Sequence, residues 1–303
     1  MKQTELISHL EQTIAPDEHQ YLLIDTSQLK GLPAELKAIG HQAISLFDEP
    51  AYSTLNHIAP YLIKLNRSIA SHTALENKAL IVVGLAWGVS WINSRASLEE
   101  LVTHLRSVLR VTMPNGGRAL FRTYDTRILQ AWAGCISDEQ TQRFLGPITS
   151  WWYLDAGTDL PQHMAAIPKA INVQALEELV LTQAQQDHIA EALLPDAILA
   201  RLLGFQSEMV NLYPRMEQRK IVGKLLAEAK KYKLTTMDDL KSFCALGFDF
   251  DLEFYDHPEI AEQLARVTKK EMDVVTMMDA VPISVWGELS AKNDHRKKPL
   301  YFS

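Results

Sequence analysis

The first half of the chain alternates short apolar runs with segments of helical periodicity. Residues 21–25 and 43–47 are apolar runs of strand length, and leucines at helical spacing lie between them. Two further runs, 60–65 and 79–84, are as apolar as strands that are buried on both faces. This order of strand, helix and strand predicts a sheet that helices cover on at least one face.

Two capping boxes mark helix starts in the same half. Ser97 with Glu100, and Ser137 with Gln140, have the spacing at which each side chain accepts a hydrogen bond from the backbone amide of the other residue. An apolar stripe follows Ser97 for three turns, and a Gly-Pro pair ends the segment after Ser137. The sequence therefore predicts a helix after each serine.

The second half reads almost entirely as helix. Residues 155–172 lose all periodicity and gather Gly and Pro, which predicts a linker. Beyond it, six segments separated by Pro, Gly or capping residues predict a helical lobe over 173–290, followed by a basic tail, 291–303, that we expect to be mobile. The predicted fold class is α+β: an N-terminal α/β lobe, residues 1–154, with a mixed sheet and flanking helices, and then an α-helical C-terminal lobe.

Composition narrows the functional classes. A formal net charge of -7 argues against nucleic acid or an anionic membrane as a partner. The most apolar window, residues 79–92, is shorter than the roughly 20 residues that span a bilayer. Cys135 and Cys244 lie in different predicted lobes, and the amino terminus has no apolar secretion signal, so we expect a cytoplasmic protein without disulfides.

The usual catalytic and metal-binding signatures are missing from the sequence. There is no Gly-rich phosphate loop, and Ser90 lacks the second glycine of a nucleophile elbow. The acidic stretch 249–257 could bind a hard cation, but its acids alternate with apolar residues, and Asp256 precedes a helix start. We prefer a solvated edge with Asp256 as N-cap, and we predict neither a metal nor a cofactor.

The stretch FRTYDTRIL, which follows a Pro-Asn-Gly-Gly turn, packs polar groups between apolar neighbours. A strand through its first four residues would place Arg122 and Tyr124 on one face, and Asp125 would cap the next helix. We prefer this structural interpretation. The alternative is an enzyme with an unrecognised α/β active site, formed by Asp25, Arg122, Tyr124 and Asp125.

Five separated blocks of the first half carry a signature. They are YLLIDTSQL, ISLFDEPAYSTLNHIAPYLIKL, WGVSWINSRASLEELVTHLRSVLRV, GRALFRTYDTRIL and FLGPITSWW. In order and spacing, over about residues 20–153, they resemble the amino-terminal domain of type VI secretion effector chaperones, the adaptor family catalogued as domain of unknown function 4123. The signature residues are Asp25, Trp87, Arg122, Tyr124, Asp125 and Trp151. Thr126 stands where many members have proline.

The resemblance implies a cytoplasmic adaptor without catalytic activity. Proteins of this family look like adaptors that bind one cognate effector, often through its amino-terminal region, and help to load it on the VgrG spike. The partners implied for this chain are therefore the effector and VgrG. A scaffold that binds the spike without an effector is a further possibility.

The helical lobe carries no family motif, so its use in binding the effector is a hypothesis. Its Met-rich segment could be an adaptable contact surface, although such a segment is more often core. We name as candidate contact residues Tyr213, Arg215, Met216, Met277, Met278 and Trp286.

Overall fold

The computed structural model describes residues 3–28, 31–32, 34–35, 43–82, 87–166 and 178–294. The chain forms two compact units, residues 1–192 and 193–303. The first contains all the described strands, and the described regular elements of the second are all helices, so the predicted α+β class is confirmed.

The first unit contains two sheets. The described strands are β1 (His19–Asp25), β2 (Ala43–Ser45), β3 (Pro60–Lys64), β4 (Val89–Ser94), β5 (Arg110–Thr112), β6 (Arg118–Leu120), β7 (Ile148–Leu154), β8 (Pro161–Ala165) and β9 (Leu179–Val180). A six-stranded antiparallel sheet is the centre of the unit, and its strands run in the order β2-β3-β1-β4-β7-β8. A smaller sheet has the order β6-β5-β9, and it is mixed because β5 pairs antiparallel with β6 and parallel with β9.

Helices cover both faces of the large sheet. The α-helices with described bounds in this unit are α1 (Gln3–Gln12), α2 (Ala70–Val82), α3 (Leu98–Val108), α4 (Thr126–Ala133), α5 (Asp138–Leu145) and α6 (Gln183–Ala192), and 3-10 helices cover Thr26–Gln28 and Pro50–Ile58. The period of two along β1 sends Leu22 and Ile24 to one face, and Tyr21 and Leu23 to the other. The first pair packs with side chains of α1 and α2, and the second pair with side chains of α3, α4 and α5.

One predicted strand is a helix. The apolar run at residues 79–84 belongs, as far as it is described, to the end of α2. Leu75 and Ala79, one helical turn apart, are buried in the same core as Trp91. A short apolar run has the same appearance in a buried strand and in a buried helix, and here the preceding residues continue the helical period.

The strand predicted through FRTY ends before Phe121. The amide of Thr123 donates to the carbonyl of Phe121 at 2.8 Å, and the amide of Asp125 donates to the carbonyl of Arg122 at 2.9 Å. These local turns replace the ladder of a strand, so Arg122 and Tyr124 do not share a strand face, and that prediction is wrong. The predicted N-cap at Asp125 is confirmed.

The segment predicted as a linker contains part of the large sheet. Pro161–Ala165 forms β8, and Trp151 on β7 lies opposite Met164. The division between the compact units lies after residue 192, later than the predicted linker at 155–172. A proline at the start of an edge strand is compatible with pairing on one side. Because proline is also typical of loops, the sequence predicted a linker here instead of a strand. Residues 167–172 lie outside the described part.

The second unit is helical, as predicted, but the helical lobe predicted over 173–290 begins too early, because residues up to 192 belong to the first unit and Leu179–Val180 there form β9. The core of the second unit gathers large apolar side chains, among them Phe243, Phe254 and Leu264. The predicted tail begins too early, because 291–294 complete the last helix, while 295–303 lie outside the described residues. The helices are α7 (Leu194–Phe205), α8 (Ser207–Val210), α9 (Arg215–Lys231), α10 (Met237–Asp249), α11 (Pro258–Thr268), α12 (Val274–Ala280) and α13 (Ile283–Asp294).

The acidic stretch 249–257 is not a solvated strand or an edge loop. Its first residue ends α10, and a short 3-10 helix covers Phe254–Asp256. Phe254 and Asp251 are both buried, and the N-cap of α11 is His257 rather than Asp256. Among the helices that the structure describes, none is long and apolar enough to cross a bilayer.

Both predicted capping boxes are present, at Ser97 with Glu100 and at Ser137 with Gln140. The helix after Ser137 ends at Gly146, whose backbone has φ 52° and ψ −112°. A residue with a side chain would be strained in this conformation, and a Cβ on Gly146 would clash with Cε1 of His104.

Replacing Gly146 by alanine should destabilise the first unit by about 2 kcal/mol, because the backbone is strained and His104 must move. Urea unfolding followed by tryptophan fluorescence measures this, since every tryptophan except Trp286 lies in the first unit. Gly223→Ala, inside α9 with open space around the new methyl group, should instead leave the second unit equally or slightly more stable. Equal losses in the two variants would contradict the proposed cause.

His104 should make the stability of the first unit depend on pH. Burial lowers the pKa of His104, while the hydrogen bond between its Nε2 and the carbonyl of Phe144, 2.9 Å long, opposes that effect. The folded state therefore takes up the proton at lower pH than the unfolded state, whose histidine titrates near pH ~6.5. The contribution of neutral His104 to the stability of the first unit is fully present above that pH, and it decreases as the pH falls below it. The loss between neutral pH and mildly acidic pH should be smaller in His104→Gln than in the wild type, as urea unfolding would measure. Parallel losses would contradict this role.

Candidate functional site

Asp125 lies where the chain passes from the small sheet to α4. We call the group formed by Arg122, Asp125, Thr126 and Arg127 the joint. The carboxylate of Asp125 accepts from the backbone amide of Arg127 at 3.1 Å, and from Nε and Nη2 of the same arginine at 2.9 and 2.7 Å. Arg122 adds a longer contact of 3.3 Å. The side chain of Asp125 is only 6% exposed. One carboxylate thus caps the helix and pairs with two guanidinium groups.

Trp87 ties this joint to the start of β4. The amide and hydroxyl of Thr126 both donate to the carbonyl of Trp87, at 2.8 and 3.0 Å. The guanidinium of Arg127 lies 5.0 Å from the centre of the buried Trp87 ring. The backbone of Trp87 has φ 59°, which is rare for a bulky side chain. The contacts of Thr126 and Arg127 hold the tryptophan in this conformation.

Asp25 and Tyr124 lie within electrostatic reach of the same joint. Burial raises the pKa of Asp25; hydrogen bonding to Ser27 opposes this effect, and the carboxylate of Asp125 raises the pKa further. Burial also raises the pKa of Tyr124 well above its ordinary value, with Arg122 opposing and the two carboxylates adding to the rise. The structure thus brings together the four residues of the alternative enzyme site, Asp25, Arg122, Tyr124 and Asp125.

The chemistry open to this group is limited by its existing contacts. Both carboxylate oxygens of Asp125 accept hydrogen bonds from Arg127. The phenol of Tyr124 stays neutral, because its pKa is raised and the ring is buried against Phe47 at a centroid distance of 6.0 Å. The side chain of Arg122 is 52% exposed. The joint can therefore hold the small sheet, the start of α4 and Trp87 in place, and it presents the guanidinium of Arg122 to solvent.

An apolar hollow of about 200 Å³ adjoins Arg122. Its walls come from β5, β6, α4 and α6, and they include Phe121, Ile128 and Ile189. Arg122 is the charged residue of this lining. The hollow can accept an apolar side chain next to a carboxylate.

The signature residue Trp151 lies in the core. Its indole Nε1 donates to the hydroxyl of Ser90 at 3.0 Å, and its ring stacks on Phe144 at 5.4 Å. Edge-to-face contacts continue from Phe144 to Trp132 and from Trp132 to Phe121. Trp151 thus connects the large sheet to the start of FRTYDTRIL by packing.

A second polar network was missed by the sequence reasoning. Glu76 on α2 is fully buried and accepts two hydrogen bonds from Arg67, at 2.6 and 2.9 Å, and one from Nε1 of Trp91 at 2.7 Å. Arg67 also donates to Gln20, which in turn donates to Asn93. The available signal was Glu76 itself, which follows Leu75 and lies in the helix that continues into the apolar run 79–84.

A wide hollow of about 770 Å³ lies beside this network. Charged and apolar residues share its lining, among them Glu11, Arg67 and Ile69. His72, also in the lining, accepts a hydrogen bond from the amide of Asn66 at 3.1 Å through Nδ1. Side chains that border the hollow therefore already form hydrogen bonds or ion pairs within the first unit.

The candidate contact residues of the helical unit differ in exposure. Met277 is fully buried, so it does not reach the surface of this structure. Tyr213 packs on Phe248, Trp286 packs on Phe250, and Met278 is half-buried. Arg215 is exposed, and the side chain of Met216, in α9, lies outside the described part. Large exposed apolar side chains occur instead at Leu203, Phe205, Leu212, Val275 and Ile283.

Neither cysteine is placed as a reactive nucleophile. Cys244 is buried, and burial raises the pKa of its thiol to about 12. Burial also raises the pKa of Cys135, which is half-buried. Within the described ranges, no three His, Cys, Asp or Glu side chains come close enough to hold a metal ion.

A DUF4123 domain, a domain of unknown function, is found at residues 20–143. The matched range runs from β1 to α5 and includes both polar networks, while Trp151 and the helical unit lie outside it. No curated protein and no solved structure matches the chain.

Proposed function

We propose that the chain is a cytoplasmic chaperone or adaptor, which binds a cognate type VI secretion effector and helps to load it on the VgrG spike without catalysis. The observation that carries this proposal is the DUF4123 domain at residues 20–143, together with the five sequence blocks that resemble effector chaperones. A cytoplasmic location follows from the same proposal, since the effector must be bound before it is secreted.

The geometry of the joint supports an adaptor. Asp125 and Arg127 form a hydrogen-bonded ion pair, and Tyr124 is a buried neutral phenol. These groups position Trp87 and α4, which is a structural task. An adaptor needs such a fixed frame, because a preorganised surface loses less conformational entropy when it binds.

Two kinds of surface are suited to an effector segment. In the first unit, the hollow beside Arg122 combines apolar walls with a charge. In the helical unit, Phe205 is 75% exposed and Ile283 is 89% exposed. Large exposed apolar side chains are typical of protein-binding surfaces, and an amphipathic segment of the effector would cover them.

An enzyme is the second candidate, and one observation favours it. Asp25 and Tyr124 both have raised pKa values and act on each other electrostatically, and such perturbed groups are common in active sites. An enzyme that uses this site requires Arg122, so Arg122→Ala would abolish function while leaving folding and partner binding intact. If the variant instead keeps its function, or loses it together with the effector, the enzyme proposal fails.

Co-expression of the tagged chain with candidate effectors and VgrG spikes of the same organism tests the adaptor proposal. The tagged chain should recover the effector, and deletion of its gene should stop effector secretion. Recovery of neither partner, with secretion unaffected by the deletion, would overturn the proposal. Recovery of the spike alone would favour a scaffold over an effector adaptor.

A further inference from the structure

A small hollow of about 250 Å³ in the first unit is lined by three arginines from three different elements. Arg110 begins β5, Arg118 begins β6, and Arg143 lies in α5. Glu178, next to β9, is the acidic residue of the lining. The lining thus has an excess of positive charge, although the whole chain has a net charge of -7. This local positive charge would attract an acidic group.

The three arginines are held to different degrees. Arg110 donates to the hydroxyl of Tyr52 at 3.1 Å and pairs with Glu49, so its position is fixed. Arg118 pairs with Glu178 at 3.2 Å, but its side chain is 79% exposed. Arg143 pairs with a glutamate one turn away on α5, at 3.4 Å. Exposed ion pairs contribute little to stability, so an incoming anion can exchange with these carboxylates at low cost.

The floor of the hollow is apolar. Val108 and Leu179 are each 6% exposed, and Phe144 is fully buried, yet all three contribute atoms to the lining. A ligand that fills the hollow therefore meets hydrocarbon below and guanidinium groups at the rim. This combination suits a polypeptide segment in which acidic and apolar side chains lie close together.

The size of the hollow and the position of Glu178 indicate the class of ligand. About 250 Å³ is less than the ~300–1,000 Å³ typical of small-molecule sites, so the hollow fits one or two side chains rather than a whole nucleotide. The carboxylate of Glu178 already lies 3.2 Å from Arg118. The chain's own contact thus shows a carboxylate paired with Arg118 in this hollow, and the planar N–H donors of a guanidinium match a carboxylate well.

We propose that this hollow binds an acidic segment of a partner protein, in which one carboxylate replaces Glu178 at Arg118, a second acidic group pairs with Arg143, and an adjacent apolar side chain rests on Val108 and Leu179. The identification of that partner with the secreted effector rests on the proposed adaptor function. The recognition chemistry itself does not depend on it.

Fluorescence anisotropy on the full chain tests the site, with a labelled peptide of repeated Asp-Leu-Glu units as the probe. The double charge reversal Arg118→Glu with Arg143→Glu should weaken binding at least about tenfold. Glu178→Gln should strengthen binding, because it removes the competing carboxylate. Arg95→Glu is the matched control for each single reversal, Arg118→Glu or Arg143→Glu, which changes the charge by the same amount. Arg95 is an exposed arginine of the same unit, paired with Asp17 at 2.6 Å, and this variant should bind as the wild type does.

Four results would overturn the proposal. The first is no binding of the peptide to the wild type, and the second is equal weakening by the double variant and by Arg95→Glu. The third is displacement of the peptide by inorganic phosphate at constant ionic strength, which would indicate a site for small anions. The fourth is a dimer of the chain that the double variant abolishes, which would assign the hollow to a second copy.

Effector recovery separates this proposal from the adaptor function. If the double variant recovers less effector than Arg95→Glu does, both proposals are supported. If the double variant recovers as much effector as the wild type, the adaptor function stands and the assignment of this hollow to the effector fails.

Discussion

Replacing Glu76 by alanine should lower the free energy of unfolding of the first unit by about 3–5 kcal/mol. The carboxylate is fully buried and accepts three hydrogen bonds, two from Arg67 and one from Trp91. Without it, the guanidinium of Arg67, whose side chain is 14% exposed, keeps its charge without its closest partner. Urea unfolding followed by tryptophan fluorescence measures the loss.

The control for Glu76 is another glutamate paired with a cation in the same unit. Glu35 lies 2.7 Å from Lys78, but both side chains are about half exposed, at 51% and 45%. Glu35→Ala should therefore change stability by no more than about 1 kcal/mol. Similar losses for Glu76→Ala and Glu35→Ala would show that burial of the network is not what stabilises the unit.

Replacing Asp125 by alanine should destabilise the first unit by about 3 kcal/mol. Roughly 1 kcal/mol comes from the lost helix cap, and the remaining ~2 kcal/mol from leaving Arg127, with a side chain 19% exposed, without its carboxylate. The loss of the amide acceptor and of the ion pair should appear together in thermal or urea unfolding.

Two further variants separate the contribution of Asp125 as a helix cap from its contribution as the ion-pair partner of Arg127. Asp125→Asn keeps an acceptor for the amide of Arg127 and removes the charge, so it should fall between the wild type and Asp125→Ala. Ser137→Ala removes only a cap, at the start of α5, and should lose about 1 kcal/mol. If Asp125→Ala loses no more than Ser137→Ala, the ion pair with Arg127 does not contribute to the joint.

The fold was predictable where short-range chemistry decides the structure. The serine caps of α3 and α5 and the Asp125 cap of α4 follow from the preference of these side chains for backbone amides. The end of α2 was not predictable from its apolar run, because Ile81, which is 59% exposed, places an apolar residue where a polar one would reveal the helical period. β8 was missed because it begins with a proline and follows a segment rich in turn-forming residues, although it pairs with the preceding strand β7 as a hairpin.

The candidate site was predictable in its residues and not in its geometry. The sequence indicated Arg122, Tyr124 and Asp125 as a group, but a strand was the wrong way to join them. Nothing in the sequence indicated that Arg127, rather than Arg122, would be the principal partner of Asp125. The three arginines around the small hollow come from β5, β6 and α5, so only the folded unit brings them together.

The most direct test of the adaptor function is quantitative recovery of the effector by the tagged chain, comparing the wild type with Arg122→Ala. The account predicts that the wild type recovers the effector in a stable complex, and that Arg122→Ala loses effector secretion only to the extent that it loses this recovery. Full recovery of the effector by Arg122→Ala, with secretion abolished, would contradict the account and favour an enzyme.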